Sequence, residues 1–273
     1  MITPAAGTDE LLADLLAERA RLARLIQPLD DATWAAAPAP GVCCIADHIA
    51  QLTFHDEAAA MAVTAPKRFA THARAQRGAG VPTEVAGQHR VRPGAELLDR
   101  LHRAQQAVAR AYRGVDPHRP LPWYGTELTA STALAASLLE TWGHGVDVAE
   151  LLGQSWPATD RLWHGVDLAV RSLGPSFELL GRPVPTVPVR IELTAPGGAL
   201  WCWGREQARD RVVGPAEDLC LVLTGRRDRS EVALRVVGAV AAEWLAVGRA
   251  YPGARRTSAR RSSGTSVHRE RAR

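Results

Sequence analysis

The sequence predicts two domains in series: an all-α four-helix bundle over residues 1–180 and a small α+β domain over 181–253, followed by a tail at 254–273. Three observations carry that prediction. Apolar residues recur at helical spacing in four long segments before Gly181. After Gly181 the pattern changes to strict alternation, with a glycine-rich turn between two alternating stretches. Beyond Gly253 the chain is rich in Arg, Ser, Thr and Gly with almost no apolar residues, the composition of a disordered segment.

A first helix is expected from Asp9 to Gln27, capped by Thr8, with Leu12, Leu15, Leu16, Leu22 and Ile26 on its apolar face. Pro28 and the Pro38-Ala-Pro40-Gly41 turn separate it from a second helix, Cys44 to Val63, with Trp34 between them as a core plug. Ile45, Ile49, Leu52 and Ala59 form the apolar face of the second helix, and His48, Gln51 and His55 stand on an adjoining stripe. Residues 65–92 have little periodicity and read as a long, partly mobile connection. A third helix is expected over Pro93–Arg113. A proline-rich loop, Val115–Glu127, then leads to a fourth from Thr129 or Ala130 to Leu152. Another helical piece covers Thr159–Leu173. The second domain is expected to contain a hairpin (188–194 and 199–204), a strand at 211–213, a helix at 215–226, a strand at 232–237 and a helix at 239–249.

Charge excludes more than it suggests. The chain carries 33 basic and 29 acidic residues. Seven arginines and one glutamate lie after Gly253, so the body is close to −2 and offers no basic stripe for a nucleic acid. No apolar run reaches the roughly 18–20 residues of a membrane span, and the first residues lack the pattern of a signal peptide. Cys43, Cys44, Cys202 and Cys220 are not spaced as a zinc or disulfide motif, so the expectation is a cytoplasmic protein with reduced thiols. Neither a G-x-S-x-G nucleophile elbow nor a phosphate-binding loop is present.

The chemistry concentrates in Ser137-Leu-Leu-Glu140-Thr-Trp-Gly-His144-Gly-Val-Asp147. Helical geometry stacks Glu140 and His144 on one face, about 5–6 Å apart at Cβ. A carboxylate and an imidazole so placed are usable metal ligands if a facing helix supplies the rest. Asp147 can reach the second ring nitrogen of His144 or lie just beside it.

Several motifs together resemble a known family. They are Pro40-Gly41 with Ile45-Ala-Asp47, Leu121-Pro-Trp-Tyr-Gly125, Glu140-Thr-Trp-Gly-His144-Gly-Val-Asp147, Ile191-Glu-Leu-Thr-Ala-Pro-Gly-Gly and Trp201-Cys-Trp-Gly. From Asp9 to Gly253 the chain is similar to the metal-binding proteins that share the mycothiol-dependent maleylpyruvate isomerase architecture, within the wider DinB-like four-helix families. The resemblance implies a DinB-like bundle, a sterol-carrier-like second domain, and one divalent ion, often zinc, held by a His of the second helix with Glu140 and His144. Relatives usually read Asp-Gln-Ile-x-His-Leu where this chain has Asp47-His48-Ile49-Ala50-Gln51-Leu52, so the ligand position falls on Gln51. His48, His55 and Gln51 are therefore alternative third ligands. His48 and His55 are about 10.5 Å apart along the axis, too far for both to bind one ion.

The activity implied is a thiol transferase or isomerase that uses mycothiol on a small acidic or electrophilic substrate. Asp147 would orient His144 from outside the coordination sphere. Arg226 is a candidate to meet a carboxylate. The alternative is a small-ligand-binding or structural member of the family with a weakened or lost ion site. No nucleic-acid or membrane partner is expected.

Overall fold

The protein is described here by a computed structural model covering residues 7–39, 41–75, 90–248 and 250–251. Pro40, much of the 65–92 connection and the 254–273 tail lie outside the described residues. The two-part layout is as expected, a helical N-terminal part followed by a smaller part containing a sheet.

The helical part holds α1 (Thr8–Ile26), α2 (Asp31–Ala35), α3 (Ile45–Thr64), α4 (Pro66–Ala75), α5 (Gly94–Tyr112) and α6 (Ala130–Leu151). Helix α1 packs on α5 and α6, and α3 packs on α5 and α6. The four long helices bury one another's apolar faces in this way. Helix α6 sits centrally. Its alanines, leucines and glycines are buried almost all round, as expected of a helix enclosed on every side. Thr8 is the first residue of α1 and Gly7 its cap, so Thr8 does not cap the helix as expected.

The buried stripe of α1 runs Leu12, Leu15, Arg19, Leu22, Ile26, a spacing of three and four throughout. Leu16, expected on the apolar face, lies off this stripe and is exposed. Arg19 takes a core position instead, paired with Asp56 of α3. Trp34 is buried, as expected of a plug.

Two segments differ from their expected form. The 65–92 connection begins with helix α4, in which Phe69 is the single buried residue. One buried position in ten residues leaves no period to detect. The 115–127 loop contains strand β1 (Pro120–Trp123), which pairs antiparallel with β2 (Thr126–Thr129). Pro120 and Pro122 had argued against a strand, but they occupy alternate positions. Their missing N–H groups therefore fall on one edge of a two-stranded ribbon. The hairpin packs on α3 and α4.

The chain then passes through a 3₁₀ turn (Asp160–Leu162), α7 (Trp163–Arg171) and α8 (Leu173–Glu178). Next come β3 (Val189–Thr194), β4 (Leu200–Trp203), β5 (Asp210–Pro215), α9 (Ala216–Leu223), β6 (Arg235–Val237) and α10 (Ala239–Val247). The sheet order is β4-β3-β5-β6. The expected hairpin is β3–β4, whereas β3 and β5 run parallel. Ile191 and Leu193 pair with Trp203 and Trp201, which puts both tryptophans on the core face against Trp163 of α7. Core packing thus accounts for the Trp-Cys-Trp motif. All four cysteines are unpaired. Among the described residues, no helix is long and apolar enough to cross a membrane.

Candidate metal centre

The site lies between α3 and α6, which run antiparallel so that His48 faces the C-terminal half of α6. His144 is fixed between two close approaches. A Cβ on Gly143 would lie within 2.5 Å of Arg226 Nη1, and one on Gly145 within 2.5 Å of Trp156 Cε2. Glycine at both positions lets the Arg226 guanidinium and the Trp156 indole rest directly on the helix backbone. The result is a buried His144, 5% exposed.

His48 Nδ1 and His144 Nδ1 approach to 3.0 Å. Asp147 Oδ2 lies 3.6 Å from the first and 3.8 Å from the second. A point equidistant from corners 3.0, 3.6 and 3.8 Å apart lies about 2.0 Å from each, close to the roughly 2.0–2.1 Å of zinc–nitrogen and zinc–carboxylate bonds. Two imidazoles and a carboxylate are a donor set suited to zinc and other divalent transition metals. The residues present fit such an ion. Asp147, expected to act on His144 from outside, stands among the three converging side chains.

The other expected site residues lie around this triangle. Glu140 is on the opposite side of the imidazole, its Oε2 3.6 Å from His144 Nε2. Its Oε1 accepts a 2.6 Å hydrogen bond from the phenol of Tyr251, a residue that sequence reasoning missed. The available signal was position, since Tyr251 is the last aromatic residue before the Arg-rich tail. Gln51 is turned toward Cys43, with Nε2 3.7 Å from its sulfur. His55 packs edge-on against Trp123, and both its ring nitrogens are buried without a hydrogen-bond partner among the described residues. Arg226 is committed within the protein. It donates to Gly143 O at 2.9 Å and to Asp147 Oδ2 at 2.8 Å.

Electrostatics favour neutral imidazoles here. Burial pushes His144 well below the ordinary histidine value, reinforced by His48 and Arg226. Burial also lowers His48 and His55, against the opposing pull of Asp147 and Glu140 respectively. Neutral rings are what metal ligation requires. Burial opposes the charge on Arg226, but Asp147 and Glu140 outweigh it and raise its pKa. Burial, and next Glu140, hold Tyr251 well above the usual phenol value, so it remains a donor.

A pH dependence follows. The unfolded chain takes up imidazole protons below the ordinary value near 6.5, whereas the folded chain resists them. The stability of metal-free protein should therefore be insensitive to these groups above that pH and fall below it. Each group contributes at most about 1.4 kcal/mol per pH unit. Asp56 and Glu217, both raised chiefly by burial, act in the opposite sense, but three imidazoles oppose two carboxyls. Urea unfolding at pH 7 and pH 5 tests this. Equal stability at both values would contradict the reading.

Comparisons with known proteins agree with this architecture. Residues 15–149 match the family model of the mycothiol maleylpyruvate isomerase N-terminal domain. An uncharacterized protein found in two strains of Mycobacterium tuberculosis is 36% identical over 251 residues, covering 91% of this chain and 97% of its own length. Two crystal structures of the mycothiol-dependent maleylpyruvate isomerase, one of them a His-to-Ala variant, match with TM-scores of 0.55 and 0.54. They cover 86% and 84% of this chain, and 95% and 94% of their own. At 16% identity this likeness concerns the fold.

Proposed function

Because the chain belongs to the mycothiol maleylpyruvate isomerase family, we propose that it is a divalent-metal-dependent enzyme of a low-molecular-weight thiol, mycothiol by family. It would isomerise a small acidic substrate or transfer the thiol to a small electrophile. The observation that carries this reading is the convergence of His48 Nδ1, His144 Nδ1 and Asp147 Oδ2 between two helices. A divalent ion bound there, zinc by the donor set, would supply a Lewis acid and lower the pKa of a coordinated thiol. Burial keeps His48 and His144 unprotonated and ready to ligate. Arg226 fixes the rotamer of Asp147, and Trp156 and the guanidinium of Arg226 shield the backbone around His144. The same reading takes the helical part up to residue 180 as a DinB-like bundle and residues 181–253 as a sterol-carrier-like domain. The mixed sheet and its packed helices support the latter.

Two observations favour a second reading, a ligand-binding or structural member with a weakened ion site. Arg226 already holds the Asp147 oxygen that faces the histidines, a built-in cation beside the carboxylate. Gln51 also stands where relatives have a histidine. Elemental analysis of untagged, zinc-loaded protein separates the two. The first reading expects about one ion per chain, lost in His144→Ala because a two-ligand remnant binds weakly. Strongly substoichiometric zinc in the native protein would overturn it.

A further inference from the structure

We propose that the cavity between α4 and the β1–β2 hairpin binds a small carboxylic acid with an aromatic body. The site is independent of the metal reading above, since none of its lining residues belongs to the cluster of His48, His144 and Asp147. The cavity measures about 320 Å³, at the lower end of the roughly 300–1,000 Å³ of small-molecule pockets. Phe69, Ala70 and Ala73 of α4 and Pro122 and Trp123 of β1 give it apolar walls, and Arg74 is the single charged side chain of its lining.

Two hydrogen-bond donors in that lining lack an acceptor. Trp123 is 6% exposed, stacked on Phe69 at 5.6 Å between centroids and met edge-on by His55 at 5.4 Å. Its indole N–H has no hydrogen-bond partner among the described residues, although an indole this buried usually finds one. Arg74 donates from Nε to Ala70 O at 3.1 Å, which holds the side chain along α4, and its Nη groups meet no carboxylate among the described residues. A carboxylate can accept from both donors, and the guanidinium supplies the opposite charge. The Phe69, Pro122 and Trp123 surfaces suit a flat apolar ring. An anion without a ring would leave those walls wet, and a ring without a charge would leave Arg74 unpaired. Arg74 also stands in the last turn of α4, where a cation complements the helix dipole. That role alone would show in stability and leave ligand affinity untouched.

The test is a titration of the full-length protein with benzoate, benzamide and acetate, followed by the tryptophan indole proton–nitrogen-15 NMR signals, with Trp123→Phe assigning the Trp123 signal. Benzoate should move that signal saturably at roughly millimolar concentration. Benzamide keeps the ring without the charge and acetate the charge without the ring, so each should bind at least about tenfold more weakly. Arg74→Gln should weaken benzoate by about tenfold, and Ala73→Leu, which fills the cavity from α4, should abolish binding. His144→Ala should leave it unchanged. Arg74 is exposed and Ala73 half-buried, so these two variants, read by saturation transfer to benzoate, carry the test even where Trp123→Phe fails to fold. A Trp123 signal unmoved at about 20 mM benzoate, far above a millimolar Kd, would overturn the proposal. Equal affinities for benzoate and benzamide would overturn it too, and loss of binding in His144→Ala would place the acid at the metal centre instead.

Discussion

Asp56→Ala is expected to destabilise the protein by about 3–5 kcal/mol, the cost of leaving a buried charge without its partner. Arg19 and Asp56 are 2% and 1% exposed, and their ion pair joins α1 to α3 inside the helical part. Burial pushes Asp56 up and Arg19 down, in each case against the pull of the partner, so desolvation outweighs attraction for both. Arg19 Nε and Nη1 have no hydrogen-bond partner among the described residues, which deepens the deficit. It follows that the double variant Arg19→Met with Asp56→Leu should recover most of the single-variant loss, and can exceed native stability. Urea denaturation of the native protein, both singles and the double checks this. A double variant no better than the worse single would show that the pair contributes net stability.

Gly143→Ala is the second large effect. The added methyl would fall within 2.5 Å of Arg226 Nη1, and the guanidinium cannot simply swing away. It is bound to Gly143 O and Asp147, with its side chain 5% exposed. Displacing it strands Asp147, for an expected loss of about 2–4 kcal/mol once the partial exposure of that carboxylate is allowed for. In an Arg226→Ala background the same substitution should cost far less, since the clash is gone. Equal losses in the two backgrounds, measured by chemical denaturation, would place the damage elsewhere.

The long helices were legible because their buried stripes repeat at three and four, and each observed end lies within about two residues of the expected one. Family membership was legible from short motifs for a related reason. Gly143 and Gly145 in Thr-Trp-Gly-His-Gly answer to specific close contacts, Arg226 and Trp156. What was hidden was whatever depends on partners distant in sequence. Arg19 occupies a core position that only Asp56, 37 residues away, makes tolerable. Tyr251 reaches Glu140 across 111 residues, with no local pattern to announce it. The hairpin at 120–129 was hidden for the opposite reason, since local proline chemistry spoke against a strand that tertiary packing supports. Glu140, His144 and Asp147 stood out by spacing, but spacing could not say which faces of the imidazole the two carboxylates would take.

The contact between Arg226 and Asp147 spans 79 residues, and that between Tyr251 and Glu140 spans 111. During synthesis both histidines of the cluster leave the ribosome long before the residues that hold Asp147 and Glu140 in place. A nascent chain that has emerged only through α8 carries the imidazole pair beside two uncompensated carboxylates. The order of translation therefore makes the surroundings of His144 among the last parts of the described molecule to be completed.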